Sequence, residues 1–257
     1  MSVTMGDTNR TTDADEAITE RRPPTLGSVS TIVMFGHLSW LGWTWVVATL
    51  AEVVVVFCVS RWGDVDQSLW QSVAAGWQRW VVFGTGVTTT TVYLRMLVRN
   101  GVTRSLLSSA STVAMTIIAV VAGLWITAGY AIEKLVYDSN GWAQTLNEGG
   151  PLEWSDLWRC AFEATVALGA YFVSGWLVGA GYYRYRAVGG TLLLLPALVP
   201  AALTELFLSK DFGGVDIDTL AGWFDRPPLA VSVVCGATVV AAGAVVARRV
   251  TRAIPIR

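Results

Sequence analysis

Long apolar runs separated by short polar turns are the main pattern of this sequence, and the central turn lies at residues 98–105. Before it, residues 80–97 are almost wholly apolar or hydroxyl-bearing, and after it residues 106–132 carry no charge. A helix needs roughly 20 apolar residues to cross a hydrocarbon core about 30 Å thick. Both runs are therefore predicted to span a membrane, with a helix stop at Asn100-Gly101 and a new N-cap at Thr103 or Ser105.

The same pattern recurs along the chain and predicts six transmembrane helices. Their approximate ranges are 40–60, 80–97, 106–135, 157–182, 189–208 and 228–247. Residues 28–39 are a candidate short helix along the inner interface before the first span. Pro196 and Pro200 each remove a backbone hydrogen bond, so a kink or a break is expected in the fifth span. The predicted fold is an all-α polytopic membrane protein.

The polar ends of the chain lie outside this six-helix domain, which covers residues 28–250. Residues 1–27 are rich in charged and hydroxyl-bearing side chains and contain Pro23-Pro24. A segment of this composition cannot bury enough apolar surface to fold, so it is predicted to be a disordered cytoplasmic tail. Residues 251–257 are predicted to be a short cytoplasmic tail.

Charge is sorted between the two sides of the predicted bundle. Of the 257 residues, 53% are hydrophobic and 14% charged, which is far less charge than a soluble domain carries. The inner loops and the C-terminal tail hold or adjoin nine arginines, namely Arg95, Arg99, Arg104, Arg184, Arg186, Arg248, Arg249, Arg252 and Arg257. Basic residues beside spans are retained on the cytoplasmic side. Both termini are therefore predicted to be cytoplasmic, in a multi-pass protein of the cell membrane.

The predicted outer connections are acidic, and the first of them, residues 61–79, is rich in tryptophan. A tryptophan ring prefers the interface, where its N–H stays hydrated. Residues 61–79, including Trp62, Trp70 and Trp77, are therefore expected to lie on the outer surface, and partial insertion is the alternative. A second long outer loop is predicted at residues 137–157, and a third at 209–226.

Four carboxylates lie in or at the ends of predicted spans: Glu52, Glu133, Glu163 and Glu205. A charge inside the membrane is costly, so each is a candidate functional residue facing the bundle interior or an aqueous cavity. Glu133, Glu163 and Glu205 are predicted near outer ends, where a hydrated interfacial position is the simpler interpretation. Glu52 lies deeper, and two roles stay open for it: facing a cavity, or pairing with a group such as an arginine.

Hydroxyl groups cluster on both sides of the central turn, at residues 88–91 and 108–112. Thr88 and Thr89 could line a polar pathway. Hydroxyls in membrane helices often bond to their own backbone or to a neighbouring helix, so packing is the simpler interpretation. In the fourth span, Gly175-xxx-Gly179 has the small-residue spacing that lets two helix backbones approach closely.

No motif for catalysis is present: there is no GxxxxGK[ST], no HExxH and no GxSxG. The three cysteines lie in apolar runs without CxxC spacing, and His37 alone cannot form a histidine metal site. The arginines lie at membrane edges rather than on one face, which does not indicate nucleic-acid binding. The chain is therefore predicted to be no enzyme and to hold no metal or cofactor.

The turn Val98-Arg99-Asn100-Gly101-Val102-Thr103-Arg104-Ser105 resembles the N-G-x-S/T-R turn between spans 2 and 3 of permease subunits of ATP-binding-cassette (ABC) exporters. The resemblance is to the six-span, type-two class. Six spans, inner termini, a long outer loop between spans 3 and 4 and a proline-broken span 5 are also similar to that family.

The resemblance implies a permease subunit that exports a substrate with energy from a separate ATPase subunit, in which ATP and Mg are bound. In that family the turn is a coupling helix that docks in a groove of the ATPase. The residues assigned to it by resemblance are Arg99, Asn100, Gly101, Val102, Thr103 and Arg104. A second permease subunit is implied as well, in a homodimer or a heterodimer.

Two other functions stay open. The arginines could be topological anchors only, in a non-transporting membrane scaffold or an immunity-type binding protein. Alternatively, an intramembrane enzyme could use Glu52 or Glu163 as an acid or base. The substrate is not indicated, because a tryptophan-rich, acidic outer surface fits lipids, amphipathic peptides and cationic drugs alike.

Overall fold

The computed structural model describes residues 23–63, 65, 67–72, 76–146, 150–208 and 229–254. Regular structure in these ranges is helical, apart from two single-residue β-bridges at Thr145. Residues 1–22 of the predicted N-terminal tail and 255–257 of the predicted C-terminal tail lie outside the described residues, as does the whole predicted outer loop 209–226. The predicted all-α fold is confirmed for the part of the chain that the structure describes.

Five helices in the described ranges are long and apolar enough to cross a membrane. The helices, numbered in chain order, are α1 (Leu26–Trp62), α2 (Gly76–Arg99), α3 (Arg104–Asn140), α4 (Leu157–Leu192), α5 (Leu194–Leu208) and α6 (Leu229–Arg252). α5 is apolar but has only 15 residues, fewer than the roughly 20 that a span needs. By the length and composition of its helices, the chain is a membrane protein.

α1 is one uninterrupted helix of 37 residues, so the separate interfacial helix expected at residues 28–39 is wrong. A capping box starts it: the Thr25 side chain accepts from the Ser28 N–H at 3.2 Å, and the Ser28 side chain accepts from the Thr25 N–H at 3.0 Å. At 1.5 Å per residue the helix is about 55 Å long, against a hydrocarbon core of about 30 Å. It therefore extends beyond the hydrocarbon core.

The chain reverses direction inside α4 at Arg186, where φ is 61° and ψ is −163°. The backbone then returns antiparallel to the first limb of α4, residues 157–185. Beside the reversal, the hydroxyl groups of Tyr182 and Thr191 lie 3.1 Å apart. This reversal is the turn predicted between the fourth and fifth spans.

The break expected at the two prolines lies just before them, at Leu193, where α4 ends and α5 begins. Pro196 is in the first turn of α5, where a missing N–H is tolerated. Pro200 lies inside α5, and the N–H of Ala201 donates to the Ser174 hydroxyl of α4 at 3.1 Å. A neighbouring hydroxyl group thus satisfies a backbone group beside the proline, as is usual in membrane helices.

α4 is the centre of the bundle and contacts α2, α3, α5 and α6. Its aromatic side chains Tyr171, Phe172 and Trp176 are fully buried. The indole N–H of Trp176 donates to the Thr251 hydroxyl of α6 at 3.0 Å, which ties the last helix to the centre. Burial of these large rings provides much of the packing area that holds the helices together.

Glycines let α2 and α4 approach each other at the backbone. A Cβ on Gly175 would meet the backbone of Phe83, and one on Gly179 would meet the backbone of Val87. Gly86 of α2 faces the backbone of α4 in the same contact. The close approach predicted from the small-residue spacing is confirmed, and the partner helix is α2.

Candidate functional site

Glu133 is the centre of a polar cluster at the end of α3 that lies away from the central turn. Its carboxylate accepts from the Ser68 hydroxyl at 2.5 Å, the Trp70 backbone N–H at 2.9 Å and the Gln144 side-chain amide at 2.6 Å. An ionised carboxylate is an acceptor only, and these three donors match it. Because the donors come from the connections before α2 and after α3, one carboxylate fixes both connections to the bundle.

Trp70 inserts between helices instead of lying on the outer surface. It is 4% exposed, and its indole N–H donates to the carbonyl of Ile126 at 2.9 Å. Its ring lies 4.9 Å from that of Trp125, which stacks on Trp45 of α1 at 5.3 Å. The outer-surface position predicted for Trp70 is wrong. Helix α3 provides a ring contact through Trp125 and an acceptor through the carbonyl of Ile126. The indole N–H of Trp70 therefore needs no water.

We expect Ser68→Ala to lower the free energy of unfolding by about 1.5–3 kcal/mol, since it removes a hydrogen bond to a buried charged group. The measurement is equilibrium unfolding of the purified chain in detergent. Ser60→Ala is the matched control, because the Ser60 hydroxyl donates to the carbonyl of Phe57 on its own helix. If both variants unfold alike, the Glu133 cluster does not hold the connection before α2.

Glu52 approaches the same region of the bundle from α1. It is 7% exposed and lies close enough to Glu133 for the two charges to interact. Among the described residues, neither carboxylate oxygen of Glu52 has a hydrogen-bond partner, and the arginine partner considered from the sequence is absent there. An unpaired buried carboxyl is costly, which keeps Glu52 a candidate functional residue.

Glu163 and Glu205 are buried too, each beside an arginine. The Nε of Arg159 lies 2.8 Å from Glu163 one turn along α4, and the guanidinium of Arg79 in α2 lies 3.0 Å from Glu205 in α5. Glu133, Glu163 and Glu205 are 6%, 5% and 0% exposed. The hydrated positions expected for these three residues are therefore wrong. Other helices and connections pack over the helix ends that carry these carboxylates. The position of a residue within its own span does not show whether another element will bury it.

The hydroxyl groups of residues 88–91 all donate to carbonyls of their own helix. Thr88 and Thr89 both donate to Thr85, at 2.8 Å and 3.2 Å, and the Thr89 hydroxyl also lies 3.5 Å from a ring nitrogen of the buried His37. The five residues after Thr88 have π-helical geometry, which is frequent at functional sites. These contacts favour packing, and a pathway role for Thr88 and Thr89 stays a prediction.

The central turn has a well-defined conformation. After α2 ends at Arg99, Gly101 adopts φ of 82°, a left-handed conformation that glycine tolerates. The Thr103 hydroxyl accepts from the N–H of Leu106 at 3.2 Å and caps α3, as predicted. The buried side chain of Val102 attaches the turn to the bundle. The turn is therefore short, capped and packed against the core of the bundle.

The two arginines of the turn have different surroundings. The Arg99 side chain is exposed and makes no hydrogen bond or ion pair within the described ranges. The Arg104 guanidinium donates to the carbonyl oxygens of Arg252 and Ile254, at the end of α6. Arg104 therefore holds the C-terminal end of α6, whereas Arg99 has no such contact within the described ranges. Asn100 is exposed beside it and donates to the carbonyl of Met96 at 2.8 Å.

The end of the bundle that carries the turn is basic. No Asp or Glu lies in residues 94–110, 178–195 or 245–254. Arg95 lies over the ring of Tyr183 at 5.3 Å, a cation–π contact that leaves its charge in place. The polar cluster around Glu133 is at the opposite end, where Arg79, Lys134 and Arg159 also lie among the carboxylates. The acidic loops predicted at residues 61–79 and 209–226 are only partly described or lie outside the described residues, so the predicted charge asymmetry stays a prediction.

The partners of the buried carboxylates are not predicted by the sequence. A signal exists for Arg79, because a basic residue at the predicted outer side of a span is unusual. No local pattern distinguishes Ser68 or Gln144 from other polar residues of the connections. Their role depends on contacts with Glu133 across 65 and 11 residues of chain, respectively.

No protein-family model, curated protein or solved structure matches this chain. The similarity to ABC permeases therefore rests on the turn at residues 98–105 and on the predicted order of spans.

Proposed function

We propose that this chain is the permease subunit of an exporter powered by a separate ATPase, and that the central turn is the contact between them. The observation that carries the proposal is the geometry of the turn, which joins two long helices without a flexible linker and presents Arg99 outward. A rigid turn fixed to two spans can transmit a partner's motion into both helices. This chain would carry out no phosphoryl transfer, and ATP and Mg would be bound by the partner.

Six spans with both termini cytoplasmic are part of the proposal. Residues 187–208 run back along the first limb of α4 as two helical segments that meet at Leu193. Together these segments are long enough to cross the membrane once, which adds one crossing to those of the five long helices. An even number of crossings leaves both ends of the chain on the side of the arginines. Basic residues are retained on the cytoplasmic side, which supports cytoplasmic termini in a cell-membrane protein.

A second permease subunit, identical or related, is also part of the proposal. α1 leaves many large apolar side chains exposed, namely Trp40, Trp43, Val46, Val47, Leu50, Val53, Val54 and Phe57. Lipid or a second subunit would cover this face. If the substrate passed between two such subunits, a single bundle would need no pathway through its own interior. The close contact of α2 and α4 agrees with this arrangement.

The test is affinity purification of the tagged chain from its native membrane, comparing Arg99→Glu with the native chain. We expect an ATPase to accompany the native chain and its recovery to fall at least about tenfold with Arg99→Glu, because charge reversal at an interface costs several kcal/mol. Arg249→Glu is the matched control, being an exposed arginine at the same end of the bundle. Arg104 is unsuitable, since its reversal would also release the end of α6.

Two results would contradict the proposal. Absence of any ATPase from the native preparation in mild detergent would favour the alternative, a non-transporting membrane scaffold or immunity-type binding protein. Equal loss of the ATPase with Arg99→Glu and Arg249→Glu would show that the partner responds to the total charge of this end, and not to the turn.

A further inference from the structure

An apolar groove of about 340 Å³ lies between α3, α4 and α6. Small residues form much of its lining, namely Ala119, Gly169, Ala237, Ala241 and Ala244. At its base, a Cβ on Gly169 would come within 3.3 Å of Val240. Val120 and Val245, which also line the groove, are 41% and 48% exposed. The groove therefore opens on the outer face of the bundle, where lipid tails would surround it.

The length of the groove matches one leaflet of a bilayer. On α6 its lining extends from Ala237 to Arg248, which at 1.5 Å per residue is about 16 Å. That is roughly half of a hydrocarbon core about 30 Å thick. The groove thus runs from the basic end of the bundle over a length that matches one acyl chain.

Charge is concentrated at one end of the groove. Arg248 lines that end and donates to the Ser109 hydroxyl of α3 at 2.9 Å. One turn later, Arg252 donates to the Ser108 hydroxyl at 3.4 Å. A guanidinium has five N–H donors, so each arginine keeps donors for a further acceptor. The nearby described residues 245–254 contain no acid that could neutralise them.

We propose that this groove binds an anionic phospholipid, with one acyl chain along α6 and the phosphate at Arg248 and Arg252. The apolar lining suits the chain, and basic pockets between transmembrane helices on the cytoplasmic side suit anionic head groups. A transmembrane helix from another protein fits the groove less well. The two arginines at the end of the groove require an anion beside the apolar chain, and a phospholipid supplies both in one molecule.

The test uses the full chain in nanodiscs of phosphatidylcholine that contain a small fraction of phosphatidylglycerol carrying a photoreactive acyl chain. Labelled peptides are then identified by mass spectrometry. We expect labelling in the α3 and α6 segments around Thr116 and Ala241, at least about fivefold above that from the matching phosphatidylcholine probe. Arg248→Gln should remove this preference, and Arg248→Lys should largely keep it, because the charge is retained.

A matched pair of variants tests the acyl-chain part of the groove. Ala241→Phe should abolish labelling by filling the groove, whereas Ala242→Phe, at an exposed neighbour outside the lining, should leave it unchanged. Equal labelling by both lipids, or full labelling of Ala241→Phe, would overturn the proposal. So would loss of this labelling when the chain dimerises, which would place a second copy of the chain in the groove. These results do not depend on an ATPase partner, so they are independent of the transport proposal.

Discussion

Replacing Arg79 with methionine should lower the free energy of unfolding by about 3–5 kcal/mol, because it leaves a buried carboxylate without its ion-pair partner. Arg79 of α2 lies 3.0 Å from Glu205 of α5, and the Glu205 side chain is fully buried. The hydroxyl group of Tyr171 in α4 lies close to both charged groups. The pair therefore joins α2 to α5 beside α4, and its loss should loosen this contact.

A double-mutant cycle measures this coupling. The double variant Arg79→Met with Glu205→Met should be less destabilised than the sum of the two single variants, because apolar replacement of both partners leaves no unpaired charge. Unfolding of all four proteins in the same detergent gives the coupling energy. If the double variant shows the sum of the single effects, the ion pair contributes nothing to the bundle, and the burial of Glu205 needs another explanation.

Gly86→Ala should destabilise the bundle by about 3 kcal/mol, the upper part of the usual range for overpacking. The new methyl group would meet the backbone of Phe172 and would lie 2.8 Å from the backbone nitrogen of Trp176. Backbone atoms at the centre of α4 cannot rotate aside as a side chain can. α2 and α4 would have to separate along their whole contact, so the midpoint temperature of thermal unfolding should fall by about 6–12 °C.

Gly84→Ala is the matched control for Gly86→Ala. The two positions are two residues apart on α2, and a Cβ on Gly84 has no described heavy atom within 4 Å. Its effect should stay within about 0.5 kcal/mol. If the two variants are equally stable, the close approach of α2 and α4 does not limit the packing of the bundle.

Features set by local sequence were predicted well. The apolar runs predict the helices, because every backbone polar group in a hydrocarbon core must be satisfied within its own segment. Asn100-Gly101 and Thr103 predict the central turn, since a left-handed residue and a hydroxyl cap act over a few neighbouring residues. The spacing of Gly175 and Gly179 also predicts a close helix contact, although not with which helix.

Features that depend on distant contacts were predicted poorly. The expected hydration of Glu133 fails because Ser68 and Gln144 reach it from two different connections. The predicted interfacial position of Trp70 is wrong because the Ile126 carbonyl of α3 accepts a hydrogen bond from its indole N–H. In both cases the local sequence is compatible with a hydrated position. Burial has the lower free energy only because other parts of the chain supply hydrogen-bond partners.

The sequence by itself determined the helical class of this protein and its central turn, because these follow from hydrophobicity and capping along short stretches. The tertiary structure decided which carboxylates are buried and which partners they have, and which of the two turn arginines holds the end of α6. It also decided that an apolar groove between α3, α4 and α6 ends at Arg248. Those properties arise where helices far apart in the chain meet, and the free energy of a buried charge depends on the groups packed around it.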